Sequence, residues 1–252
     1  MSKTYGVDDS VTVITGATDG IGLALAKRYE QSGDRLVLVG RRPLESLQGP
    51  LSGPTTYCQA DLRDPAVHVP IEMFLCEQAI NRIDRLILNA ATGYYGPTAD
   101  QLSSSVRDTI NVNLRSAIGL IHTCYPALRA AGGTVVLIGS IVAAMPCPGY
   151  SVYGATKAAI DGLGWSLRHE LAPHVSLKVV HPGATKLGLH AKIGVDPEAV
   201  DWSRFPPAER VAASIAQRID RNGWRHLLAP AERCLWMLGR TFPHVVDAVV
   251  AR

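Results

Sequence analysis

The sequence has 252 residues, 47% of them hydrophobic and 19% charged, with a formal charge of +3. That length buries a sizeable core and suits one α/β domain spanning residues 1–252. The slight basic excess provides no concentrated face for nucleic acid, so small-molecule chemistry is the expectation.

The first ten residues are polar and acidic and do not form a signal peptide. From there, short apolar runs alternate with amphipathic segments. Val11–Thr15, Leu36–Val39, Arg85–Leu88, Val135–Ile138 and Leu177–Val180 read as strands buried on both faces, with Thr55–Cys58 as a further short candidate. Helical patterns fall near 21–32, 66–81, 104–130, 153–171, 208–221 and 231–250. Strict alternation of strand and helix predicts right-handed crossovers and a Rossmann-like doubly wound parallel sheet with helices on both faces. The uncharged stretch Ala130–Thr156 is broken by Gly132, Gly133, Pro146, Pro148 and Gly149, which argues against a membrane span.

The first strand runs into Thr15-Gly16-Ala17-Thr18-Asp19-Gly20-Ile21-Gly22. Gly16 permits a tight turn, Gly20 lets a pyrophosphate approach backbone N–H groups, and Gly22 permits close helix–strand packing. The following helix start supplies unpaired donors for phosphate. A glycine string alone is weak, but its position between a buried strand and a helix favours dinucleotide binding over a plain turn. With its G-x-x-x-G-x-G spacing, the sequence resembles the short-chain dehydrogenase/reductase family, in its compact branch. The resemblance covers residues 11 to about 186.

The second strand ends in Gly40-Arg41-Arg42, where an acid would select NAD(H). Gly40 is expected to leave room, and Arg41 and Arg42 offer forked charge-assisted bonds to a 2′-phosphate, favouring NADP(H). Asp19 argues the other way, because family members using NADP often carry Lys or Arg there, and NAD(H) stays open. The resemblance assigns Asp61-Leu62 to the adenine end and Asn89-Ala90-Ala91 to the wall of the cofactor site, Ala91 replacing the family's glycine.

Tyr153 and Lys157 lie four residues apart at a helix start, so phenol and ammonium share one face. A phenol titrating near pH 10 is a poor base, and an adjacent ammonium is expected to lower its pKa at ~1.4 kcal/mol per unit. The resemblance implies Ser140 as the residue polarising the substrate oxygen and Asn113 as the holder of a proton-relay water, with Asn111 as the competing candidate. It also places Pro182, Gly183 and Thr185 beside the nicotinamide. Tyr94, Met145, Tyr150, His190 and Trp202 are the candidate pocket, the last two in a lid over about 186–207. This mostly apolar wall predicts a hydrophobic ketone or secondary alcohol as substrate.

Other chemistry is less well supported. His169 and His174 have one residue too many between them for a zinc helix, and Pro173 interrupts it, so no metal is expected. No G-x-S-x-G elbow points to a hydrolase. Five scattered cysteines without C-x-x-C suit free thiols in a reducing, cytoplasmic setting. The family commonly pairs the helices bearing Tyr153 and Asn113 with copies of themselves, implying a homodimer or homotetramer. In the tail, Leu235, Leu238, Phe242, Val245, Val246 and Val249 form an apolar stripe expected to cover the chain itself or a neighbouring subunit rather than a membrane. Two functions remain in view: an NADP(H)-dependent ketone reductase or alcohol dehydrogenase, and a non-catalytic dinucleotide-binding regulator on the same fold.

Overall fold

A computed structural model describes residues 10–43, 45, 55–186 and 188–250. The N-terminal segment, most of the Pro/Gly-rich piece at 43–54 and the side chain of Val249 lie outside the described residues.

Seven parallel strands form one sheet in the order β3-β2-β1-β4-β5-β6-β7. They are β1 (Val11–Thr15), β2 (Arg35–Gly40), β3 (Thr55–Gln59), β4 (Arg85–Leu88), β5 (Thr134–Ile138), β6 (Ser176–His181) and β7 (Arg225–Leu227). Strand order reverses between β1 and β4, so a crevice opens beyond their carboxyl ends. The helices are α1 (Gly20–Gln31), α2 (His68–Glu77), α3 (Ser103–Ile110), α4 (Ser116–Ala131), α5 (Ser151–Leu171), α6 (Gly188–Lys192), α7 (Ala208–Ile219), α8 (Pro230–Thr241) and α9 (Pro243–Val250).

The period-two pattern of the strands sorts the core into two layers. Val13, Val37, Leu86, Val135, Leu137 and Val179 face α2, α4 and α5, packing on Ile71, Leu120, Leu128 and Ile160. Ile14, Leu36, Leu38, Ile87, Val136 and Val180 face the opposite way, onto Leu25 of α1 and Val211 and Ile215 of α7. Each such side chain contributes roughly 1.5–3 kcal/mol when fully buried. A one-residue register slip would exchange the layers, so burial fixes the register. A small third cluster of Ile193, Val195 and Trp202, flanked by Tyr150 and Phe205, gives the lid its own apolar support.

Three elements differ from the sequence expectation. The predicted helix 104–130 is α3 and α4 joined by a π-type turn at Asn111–Arg115, an insertion invisible to a 3.6-residue period. The tail divides at Phe242-Pro243 into α8 and α9, since proline lacks the N–H that continuation needs. β7 has no apolar pattern to mark it: Arg225-His226-Leu227 is short and polar, and it is a strand because it can pair with β6 at Val179–His181. Among the described residues, no helix is long and apolar enough to cross a membrane.

Candidate active site

The glycine loop is built by close contact as well as by turn geometry. Gly16 has φ +66°, and a Cβ there would lie 2.8 Å from Cα of Ala90. At Gly22 a Cβ would lie 2.2 Å from the Gly16 carbonyl oxygen and 2.6 Å from Nδ2 of Asn89. Gly20, at φ +53°, faces open space. Asn89 ties the loop to the end of β4, its Nδ2 donating to the carbonyls of Thr15 at 3.0 Å and Gly16 at 3.3 Å. The N–H groups of Asn89 and Ala90 both donate to Oγ1 of Thr15 at 3.1 Å. Asp19 precedes α1 without a side-chain capping bond, so its carboxylate satisfies none of the first-turn donors. An open approach at Gly20 beside an uncapped helix start fits a dinucleotide pyrophosphate.

At the adenosine end, two expectations are corrected. Gly40 does not leave a vacant space: a Cβ there would lie 2.7 Å from both Cγ2 of Thr18 and the Tyr57 hydroxyl, so the glycine admits those side chains. Asp19 is not a bare negative charge. It pairs with Arg42 and with Lys192 of α6, two cations on one carboxylate. Arg42 also donates to Oγ1 of Thr18 at 3.0 Å, and its carbonyl accepts from the Tyr57 hydroxyl. Arg41 is exposed, with no ion pair among the described residues. Asp61 chelates Arg63 through both carboxylate oxygens, and these hydrogen bonds hold its carboxyl below the usual range against the opposing effect of burial. A carboxylate has more acceptor sites than Arg63 fills. The Leu62 side chain is buried in the core, and Ile21 packs partly buried against the α1 layer.

The chemical end lies beyond β5 and β6. Ser140 follows β5 in extended conformation, and Tyr153 and Lys157 rise on the first turns of α5. The Ser140 side chain lies close enough to the Tyr153 phenol to favour its charged form. Lys157 is buried, donates Nζ to the Ile138 carbonyl at 2.8 Å, and sits 5.6 Å from the Tyr153 ring centroid. Asn113, in the π-type turn, is also buried. Its Oδ1 accepts from the Thr92 N–H at 2.8 Å, and its Nδ2 donates to the Thr92 carbonyl at 2.9 Å and to Oγ1 of Thr156 at 3.0 Å. Asn111 points elsewhere, donating to the Arg63 carbonyl at 2.8 Å.

The expected depression of the Tyr153 pKa is reversed. Burial pushes the phenol up to about 12, with the Ser140 hydrogen bond pulling weakly the other way. The same burial pushes Lys157 down to about 8. Desolvation disfavours the charged form of each group because each has left water. The phenol therefore holds its proton at neutral pH.

Around Tyr153 stands an aromatic wall. Its ring is 6.1 Å from that of Tyr150 between centroids, and the Tyr150 hydroxyl is 2.8 Å from Nδ1 of His190. His190 is 5.3 Å from Trp202. Burial lowers the His190 pKa, leaving an uncharged surface. Tyr95 packs 5.0 Å from Tyr150, whereas the Tyr94 phenol turns onto Gly96 and Met145 lies against α8 at Gly239. Pro182 accepts from the N–H of Ile141 at 3.4 Å, Gly183 meets Glu232, and Thr185 is half-buried on the same loop. Sequence reasoning passed over Asp161, His181, Lys192, Arg225, Trp236 and Arg240. Only Asp161 carried a signal, one turn beyond Lys157 on the same face of α5.

The short chain dehydrogenase profile matches residues 10–197, which cover the glycine loop, Asn113, Ser140, Tyr153, Lys157 and most of the lid. The chain belongs to the short-chain dehydrogenase family. Its activity is that of an oxidoreductase working between CH–OH and C=O groups. Among relatives, it is 29% identical over 211 residues to the human dehydrogenase/reductase SDR family member 4, covering 79% of this chain and 74% of that one. It superposes with a TM-score of 0.80 on a short-chain dehydrogenase from Sphingobium yanoikuyae in complex with NADPH, at 28% identity over 96% of this chain and 95% of the other. A bulky-bulky ketone specific alcohol dehydrogenase from Comamonas testosteroni gives a TM-score of 0.75 at 26% identity, covering 96% and 94%.

Proposed function

We propose that this family member is an NADP(H)-dependent enzyme interconverting a hydrophobic ketone and its secondary alcohol, with Tyr153 as general acid and base. The observation that carries this reading is the Tyr153 phenol beside the buried Lys157 ammonium, with the aromatic wall of Tyr150, His190 and Trp202 next to it. Bound NADP(H) would supply or accept the hydride. Ser140 polarises the substrate oxygen, and Tyr153 donates its proton to that oxygen or recovers it. Lys157 would hold the nicotinamide ribose and stabilises negative charge developing on the phenol. Asn113 braces the Thr92 segment against α5 and thereby fixes the floor of the site.

Preference for NADP(H) is supported by Arg41, exposed beside the cofactor crevice, and by the neutralisation of Asp19. The NADPH-bound Sphingobium neighbour agrees with it. Pairing of α4 and α5 with a second copy to form a homodimer is part of the same reading.

NADPH oxidation against a panel of aromatic, steroidal and long-chain ketones tests the proposal. Tyr153→Phe should reduce kcat by at least about a hundredfold, the lower end of general acid–base contributions. Unchanged turnover in that variant removes Tyr153 from the mechanism. A chain that binds NADPH but turns over no ketone would instead be the regulator. Arg41→Ala should raise KM for NADPH far more than for NADH, and equal effects would refute the role of Arg41.

A further inference from the structure

Behind Ser140 lies a buried chain of charged groups that the reaction itself does not use. The β5–β6 ladder ends where the Gly139 N–H donates to the Val180 carbonyl at 2.8 Å. One residue on, the imidazole of His181 takes the place of the next backbone partner. Its Nδ1 lies 3.2 Å from the Ser140 nitrogen and 3.1 Å from the Ser140 carbonyl oxygen. At the other side of the ring, Nε2 is 3.1 Å from Oδ1 of Asp161. A carboxylate only accepts, so Nε2 donates to Asp161, and the Ser140 N–H is directed at Nδ1 as its acceptor. His181 is fully buried and Asp161 nearly so. A Cβ at residue 139 would lie 2.4 Å from Nδ1, so Gly139 is what lets the ring reach the peptide.

The chain continues outward. Arg225 of β7 places Nε 2.8 Å from Oδ1 of Asp161 and donates Nη2 to Oδ2 at 2.9 Å. Arg240 of α8 donates Nη1 to the same Oδ2 at 3.0 Å. From the same helix, Trp236 packs its ring 4.2 Å from His181. At Gly239 a Cβ would lie 1.8 Å from the Ala144 carbonyl oxygen, so α8 rests directly on the turn that follows Ser140. The inward face of α8 is therefore Glu232, Trp236, Gly239 and Arg240, all C-terminal to the span matched by the family profile.

We propose that His181 is a positioning residue for Ser140, oriented by Asp161 and latched from outside by Trp236 and Arg240 of α8, so that the C-terminal helix controls the geometry at the substrate oxygen. The inference rests on the assignment of Ser140 above. The Ser140 carbonyl accepts from the Ala143 N–H at 3.1 Å and its hydroxyl accepts from the Val142 N–H at a long 3.4 Å, whereas its own N–H is given to the His181 imidazole. A serine presented by its backbone is misplaced when that backbone loses its partner, and small misplacements lower turnover steeply.

The test compares His181→Leu with His181→Asn in the full-length protein. Asparagine can return a carboxamide oxygen to the position of Nδ1, while leucine fills the volume without an acceptor. His181→Leu should lower kcat about tenfold, the equivalent of one hydrogen bond in the transition state, with KM for NADPH unchanged. His181→Asn should restore most of that loss. Amide hydrogen exchange of the peptide around Ser140 should quicken in the leucine variant only. Equal kcat and equal exchange in both variants would overturn the proposal. Arg240→Met, at the half-exposed rim, is the second probe where the core variant fails to fold. It should lower kcat a few-fold and quicken the same exchange, and no change in either would equally overturn it. Ser140→Ala, measured in parallel, separates the two claims. If it retains full turnover, the assignment of Ser140 fails. If it is inactive while the His181 and Arg240 variants behave as wild type, only the positioning role fails.

Discussion

Lys157 occupies a position that costs stability. Its ammonium is buried with one carbonyl as partner, and desolvation lowers its pKa from 10.5 to about 8. Below pH 8 the group is charged in both folded and unfolded chains, and the folded state bears the full cost. Between about 8 and 10.5 the folded chain has released the proton while the unfolded chain keeps it, so stability rises with pH through that window. Lys157→Met should therefore be inactive yet melt a few degrees higher at pH 7, from up to about 3 kcal/mol of relieved desolvation. The advantage should shrink as pH rises from 8 toward 10, and a pH-independent difference would show that packing is responsible. Charges at the other end of the crevice are arranged differently: Asp19 is shared by Arg42 and Lys192, while exposed Arg41 has no ion pair among the described residues.

Among the elements, the glycine loop shows how identical residues meet different demands. Gly22 has backbone within 2.2 Å of any added Cβ, whereas Gly20 has open space and a positive φ. Gly22→Ala should lower Tm by several degrees, because the Gly16 carbonyl cannot move without shifting the loop. Gly20→Ala should cost about 1 kcal/mol from its left-handed conformation, yet weaken NADPH binding through the methyl placed where the pyrophosphate approaches. Melting curves and fluorescence titration with NADPH separate the two effects, and equal loss of Tm in both variants would contradict the contact geometry. α8 differs from what its hydropathy suggests. Leu235 and Leu238 of α8, with Phe242 and Val245 after it, are at least 39% exposed, so most of the apolar stripe lies outward, with Val246 of α9 buried, while Trp236 packs inward and Arg240 reaches Asp161 from the rim.

For the whole molecule, the homodimer proposed above places its contact on the exposed apolar residues Ile110, Ile118 and Trp165 of α3, α4 and α5. Ile118→Arg should convert a dimer to monomer in sedimentation at micromolar concentration, and an unchanged assembly would place the contact elsewhere. The parallel doubly wound sheet was legible from Val11 to Val180, because strands buried on both faces must be apolar throughout and their helices must be amphipathic. Gly16, Gly20, Gly22, Tyr153 and Lys157 stand out as candidates by spacing, a local property of one strand end or one helix face, and Ser140 by family resemblance. The π-type turn, β7 and the division of the tail were not, because pairing partners or a single inserted residue decide them. The sequence by itself determined the parallel α/β fold and the family, and it named the candidates for the chemistry. Only the tertiary structure decided their electrostatics, raising Tyr153, lowering Lys157, neutralising Asp19 and setting Arg240 behind Ser140. Desolvation and long-range ion pairing depend on groups far apart in the chain, and no periodicity records those.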